Sequence, residues 1–251
     1  MSVPRTQSLT RAIALLRAMQ HFPRGVTTAE LARLTDLPPA TAGRLLATLQ
    51  DAGFAQRDDE GWSVGPELVR IAQRAEPHRA LARRSQPVLA ELAAAAKESA
   101  MLGVPRGRTR VVVVAQADGP RLLGITNWIG RPIDELHASA AGKLLLAELD
   151  DQAVVAWMRR VKPARLTART LAAPRVLREE LARVREQDWA EIDGESEPGL
   201  ASVAVPVRDA DGGRLVGMLG YSGPSERLDR PALVAPLRRA ASALAGPISR
   251  T

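Results

Sequence analysis

The chain has 251 residues, enough for one large or two ordinary domains, each with its own core. Forty-five per cent hydrophobic and 25% charged residues are ordinary for a globular protein, and the formal charge of +7 favours an anionic partner without proving one. The absence of cysteine excludes a disulfide framework, a thiolate metal site and a cysteine nucleophile. No apolar stretch approaches the length that spans a bilayer, so no membrane partner is expected. A basic start followed by an apolar run and a small-residue cleavage site is also missing, which makes a cytoplasmic location the expectation.

All the basic residues except Lys97, Lys143 and Lys162 are arginine, a bias that genome base composition also produces. In residues 1–75 arginines only slightly outnumber acids, so helix pattern is a stronger witness to DNA binding than charge. Leu9, Ile13, Leu16 and Met19, with Ala12 and Leu15 beside them, fall at helical spacing and predict an amphipathic helix to about Gln20. Its surplus apolar surface suits a second copy of the chain. Arg5 and Arg11 near its start suit either solvent or a phosphate.

Thr27 followed by Glu30 is a capping box, and Leu31, Leu34 and Leu37 then give one helix an apolar side. Asp36-Leu37-Pro38-Pro39 stops that helix, and a proline at the first position suits a new one. The second runs from Pro39 through Ala42, Leu45, Leu46 and Leu49 to Gly53, with Thr41, Gly43, Arg44 and Thr48 on its outer side. Short side chains allow close approach to a major groove, and a guanidinium grips guanine or phosphate. Phe54–Arg57, an acidic turn at Asp58–Gly61 and Trp62–Val64 read as strand, turn and strand, making the helix-turn-helix a winged one with Arg57 as the wing's base.

Residues 65–76 read as a linker helix, interrupted at Glu76-Pro77. Residues 78–97 are alanine-rich and helical, broken or restarted at Pro87, with Leu81, Val88, Leu89 and Leu92 as core candidates. The period then changes. Ala100–Val104, Arg110–Ala115 and Arg121–Ile125 predict three strands, antiparallel because the links between them are too short for crossover helices. Beyond them the pattern predicts helices over 153–161, 174–187 and 230–244, with strands near 189–192, 201–207 and 214–221.

Between these regions, Leu136-His137-Ala138-Ser139-Ala140-Ala141-Gly142-Lys143-Leu144-Leu145-Leu146-Ala147 leads into a helix that starts around Ser139. The segment resembles the LHxSAxGKxLLA signature of the IclR family of bacterial transcriptional regulators. Ser8–Ile13, Leu31-Ala32, Thr41–Leu49, Val203–Asp209 and Ser222-Gly223-Pro224 match in order, so the likeness covers roughly residues 8–244.

The resemblance implies an α+β chain of two domains. Residues 1–64 form a winged helix-turn-helix DNA-binding domain, and 65–76 form the linker helix. Residues 77–251 form a GAF- or profilin-like effector-binding and oligomerisation domain with a curved antiparallel sheet. The implied partners are a double-stranded DNA operator, a small-molecule effector (a carboxylate or aromatic acid), and other copies in a homodimer or dimer of dimers. Repression is the expected role, with activation open. Carried over position by position, the effector residues are Ala140, Ala141, Asp193, Glu195, Ser202, Ala204, Gly220 and Ser222. The DNA contacts are Thr41, Gly43, Arg44 and Thr48, with Thr27, Thr28 and Arg57 toward phosphates. Gly220 stands where a serine is common, and Pro39 and Gly43 depart from the family's reading helix. Those departures leave room for a sensor that acts through protein contacts without reading DNA.

Enzyme chemistry has little to stand on. His21, His78 and His137 are far apart in sequence, and HExxH, GxSxG and phosphate-loop motifs are absent. His137 with Asp134 and Glu135 fits helix capping better than a metal or acid-base site. Asp193–Glu197 lacks the calcium-loop pattern. Neither a metal nor a cofactor is expected, and a hydrolase or transferase remains the distant alternative.

Overall fold

The computed structural model describes residues 6–22, 24–75, 79–121, 124–209 and 213–245. Arg5, Glu76-Pro77, His78 and Leu122-Leu123 lie outside them. The chain divides into two units, Met1–Pro77 and His78–Thr251.

In the first unit, helices α1 (Gln7–Met19), α2 (Thr28–Leu34) and α3 (Pro39–Asp51) precede a hairpin of β1 (Ala55–Asp58) and β2 (Gly61–Val64), then α4 (Pro66–Ala75). Thr27 caps α2 by accepting the Glu30 amide at 3.2 Å. Asp36 turns the chain at φ 52°, and Pro39 opens α3, where its missing N–H costs nothing. Leu15, Met19, Leu31, Leu37, Ala42 and Leu46 close the core. Leu9, Ile13 and Leu34 do not join it; they are 60%, 41% and 47% exposed, because α1 turns Leu15 and Met19 inward and α2 turns Leu31 and Ala32 inward. Trp62 anchors the wing by donating from Nε1 to Thr28 Oγ1 at 2.9 Å.

The second unit is built on a six-stranded antiparallel sheet ordered β5-β4-β3-β8-β7-β6. Its strands are β3 (Ser99–Pro105), β4 (Val111–Ala117), β5 (Pro132–Ile133), β6 (Ala190–Asp193), β7 (Leu200–Arg208) and β8 (Leu215–Pro224). On one face, α5 (Arg79–Ala96) and α9 (Arg230–Leu244) bury Leu81, Leu89, Leu237 and Leu244 against Leu102, Val205 and Leu219. On the other, α6 (Ala140–Ala147), α7 (Asp151–Val161) and α8 (Pro174–Gln187) bury Leu144, Trp157, Leu177 and Leu181 with Ala204 and Met218. Strand alternation sends neighbours such as Val203 and Ala204 into opposite layers.

Two expectations change. Pro87 does not break α5: packing of Leu81, Leu89 and Leu92 on one sheet face holds both halves on one axis. That packing outweighs a proline penalty of about 3 kcal/mol. Among the described residues, Arg121, Gly124 and Ile125 form no strand. The outer edge of β4 is instead met by β5, and Gln116 of β4 holds the following segment, its Oε1 accepting the Trp128 amide and its Nε2 donating to the Thr126 carbonyl.

Tyr221 is the chain's single tyrosine and donates its buried hydroxyl to the Leu92 carbonyl at 3.1 Å. Burial pushes its pKa up to about 12. The stability gained by keeping this phenol protonated is full below the unfolded value near 10 and is lost as pH rises through 12. Titration at 295 nm should show one transition near 12 in the native protein and near 10 in denaturant; a native midpoint near 10 would contradict this packing.

Candidate functional site

Two separate surfaces carry the site residues. On the first unit, Ala42 and Leu46 turn one side of α3 into the core, so Thr41, Arg44 and Thr48, at helical spacing, fall on the outer side. Thr41, Arg44 and Thr48 share a surface groove with Gln7, Ser8 and Arg11 of α1. Arg44 and Thr48 are exposed; the Thr48 hydroxyl donates to the Arg44 carbonyl at 3.0 Å and keeps its lone pairs free. Gly43 is half-buried, and a Cβ built on it meets nothing within 4 Å. Gly43→Ala should therefore raise the stability of this unit by about 0.5–1 kcal/mol, as alanine does in a helix interior. Thermal unfolding checks the sign, and a loss of stability would show that the position is more crowded than the geometry says.

Thr27 is exposed at the start of α2, whereas the Thr28 hydroxyl is engaged by Trp62. Arg57 is exposed on the wing, its guanidinium 5.6 Å from the Trp62 ring centre. Residues from α1, α2, α3 and the wing thus supply polar and cationic groups to the outside of one small unit.

The second unit holds a cavity of about 650 Å³ between the sheet and the start of α6. Alternation on the strands aims Met101, Val113, Ser202, Ala204, Met218 and Gly220 into it. Ala140 and Ala141 lie on its wall in the first turn of α6, where backbone amides have no intrahelical acceptor. Ser139 caps that helix, its Oγ accepting the Gly142 amide at 3.1 Å. Gly220 is required by the sheet as well, since a Cβ there would run into the Val203 carbonyl of β7.

Six of the eight expected effector residues, Ala140, Ala141, Ser202, Ala204, Gly220 and Ser222, therefore line one cavity, the alanines from α6 and the others from the sheet. Asp193 and Glu195 do not line it. Ile192 faces the cavity, so Asp193, one position along β6, falls on the other side and pairs with Arg169 at 2.8 Å and Arg230 at 3.5 Å. Glu195 turns to Lys143. Their places on the wall are taken by Ser196 and Glu197. Trp128, with Arg131 over its ring at 6.0 Å, and Leu166 also border the cavity; they come from irregular segments that carry no periodic signal.

Beside the cavity lies a buried ion pair that the sequence marked only as a motif letter. Lys143 is fully buried, and its ammonium donates to Glu195 Oε1 at 2.7 Å, Glu180 Oε1 at 3.1 Å and the Glu191 carbonyl at 3.0 Å. Burial raises the Glu195 carboxyl above the ordinary glutamate range, with Lys143 opposing the shift. The lysine ties α6, α8 and the end of β6 together. His137 is also buried, its Nε2 2.8 Å from the Ala164 carbonyl. Among the described residues no cluster of histidine and carboxylates could hold a metal ion, and no helix is long and apolar enough to cross a membrane.

A winged helix-turn-helix unit followed by a unit with a ligand-sized cavity defines the class of DNA-binding regulators. The sequence matches the model of the IclR helix-turn-helix domain over residues 8–59 and that of the bacterial transcriptional regulator IclR C-terminal domain over residues 73–249. It is 30% identical to the Pca regulon regulatory protein of Pseudomonas putida, covering 82% of this chain and 70% of that one. It is equally 30% identical to the acetate operon repressor of Salmonella typhimurium, over 88% of this chain and 81% of that one. The fold matches a solved IclR homologue from Microbacterium hydrocarbonoxydans, complexed with 4-hydroxybenzoate. That match has a TM-score of 0.71 and 23% identity, covering 95% of this chain and 97% of that one. The chain belongs to the IclR family of bacterial transcriptional regulators, and the relatives it matches are regulators and not enzymes.

Proposed function

We propose that the chain is a cytoplasmic repressor whose hold on a double-stranded operator changes when a small carboxylate or aromatic acid enters the cavity of the second unit. The observation that carries this reading is the cavity itself: apolar walls with the free amides of Ala140 and Ala141 at one place, an arrangement that suits a carboxylate on an apolar body. The hydroxybenzoate bound by the Microbacterium homologue supports the effector class, and the name of the Salmonella relative supports repression. Residues 1–64 read DNA, 65–76 link, and 77–251 sense and assemble. Exposed Leu9, Ile13 and Leu34 offer apolar surface to another copy, in a dimer or dimer of dimers.

In this reading Arg44 grips guanine or phosphate, Thr41 can donate or accept and Thr48 accepts beside it, and Gly43 lets the helix approach the groove. Thr27, Thr28 and Arg57 hold phosphates, which set register. Coupling between cavity and operator is a free energy of about 1–3 kcal/mol, felt equally at both sites. Arg44→Ala should cost about 1–3 kcal/mol of operator binding if the contact is bidentate to guanine. Fluorescence anisotropy with DNA from the protein's own upstream region measures it, and an unchanged affinity would remove Arg44 from the reading face.

A further inference from the structure

We propose that the effector is a monocarboxylate with an extended apolar body, larger than a single-ring acid and carrying no second charge. This rests on the cavity being the effector site. The space is about 650 Å³, the volume of roughly twenty waters in the liquid. A hydroxybenzoate, with about ten non-hydrogen atoms, fills only part of it.

What lines the remainder decides what fills it. Met101, Val113, Ile192 and Met218 are among its apolar lining, the last three buried, and methionines reshape themselves around an apolar guest. Beyond the Ala140 and Ala141 amides that take the first carboxylate, the uncharged polar side chains lining the cavity include the hydroxyls of Ser139, Ser196, Ser202 and Ser222. Ser139 Oγ accepts the Gly142 amide and Ser222 Oγ donates to the Ala201 carbonyl at 3.4 Å, so the wall offers single neutral O–H donors and no charge. A second carboxylate pushed inward would lose its hydration to a wall without a cation.

Pushed outward, it fares no better. The charged side chains bordering the cavity are Arg131, Asp134, Glu135 and Glu197, of which Arg131, Asp134 and Glu197 are exposed and Glu135 is half-buried. Three carboxylates against one guanidinium make the rim net negative, and that guanidinium lies over Trp128. Dicarboxylates and short hydrophilic keto acids are therefore disfavoured, the former by charge and the latter by unfilled apolar volume.

The test is isothermal titration of the full-length protein with benzoate, 4-phenylbenzoate, decanoate and adipate. Each buried methylene adds about fourfold in affinity, so decanoate, with about three more apolar carbons than benzoate, should bind roughly 50-fold more tightly, and 4-phenylbenzoate, with six more ring carbons, at least about 100-fold more tightly. Adipate should not bind. Met101→Trp and Val113→Phe, which shrink the inner space from two different strands, should each erase most of that advantage and leave benzoate nearly unchanged. Benzoate or adipate binding as tightly as 4-phenylbenzoate would overturn the size and charge inference while leaving the cavity an acid site. No binding by any of the four acids would overturn both this inference and the reading on which it rests.

Discussion

Replacing Lys143 with methionine should destabilise the second unit by about 3–5 kcal/mol, because it strands the buried Glu195 carboxylate, whereas Glu180 keeps its bidentate pair with Arg183. For a unit of this size that is a fall of roughly 6–20 °C in Tm. Adding Glu195→Gln to the methionine variant should recover part of the loss, since it removes the carboxylate left without a partner. Glu195→Gln alone tests the electrostatics. The Glu195 pKa is raised in the folded state, so the stability it contributes is full below the ordinary glutamate range and is lost as pH rises through the raised value. The glutamine variant should lack that component of the stability profile. A methionine variant as stable as the parent would show that the ion pair is solvated and contributes nothing.

Gly142→Ala should have the next largest effect, though it adds only one methyl. A Cβ on Gly142 runs into the Leu136 backbone and the Ser139 hydroxyl that caps α6. The Leu136 obstacle is backbone and cannot rotate away, so the first turn of α6 must move. Overpacking of this kind costs about 1–3 kcal/mol. The displaced turn also carries Ala140 and Ala141, so the stabilisation produced by a bound acid should disappear along with the cap. Thermal unfolding with and without ligand measures both effects. A variant with parental Tm and parental ligand shift would contradict the placement of α6 on the cavity wall.

The helix-turn-helix was legible because its signals are local. Thr27 caps α2, Asp36 and Pro39 separate the two helices, and Gly53, at φ 73°, follows α3. The cavity was half legible. Its serines and alanines lie at strand alternation or at a helix start and could be counted off, whereas Trp128, Arg131 and Leu166 arrive from segments without period. Asp193 and Glu195 were misplaced for a physical reason: one step along a strand reverses the side chain, and the Lys143 ammonium draws Glu195 away. The role of Lys143 was invisible because its carboxylate partners lie 37 and 52 residues further along the chain. Leu34 and Ile13 carry the right spacing for a core yet remain exposed, since periodicity fixes a face and not the neighbour that covers it.

The central claim is that cavity and operator are thermodynamically linked. Its most direct test is the affinity for DNA from the protein's own upstream region, measured by anisotropy at two salt concentrations with and without saturating 4-phenylbenzoate. Linkage predicts salt-dependent binding above the non-specific level and a shift of about 5–150-fold on adding the acid. Operator binding unmoved by an acid that calorimetry shows to be bound would contradict it.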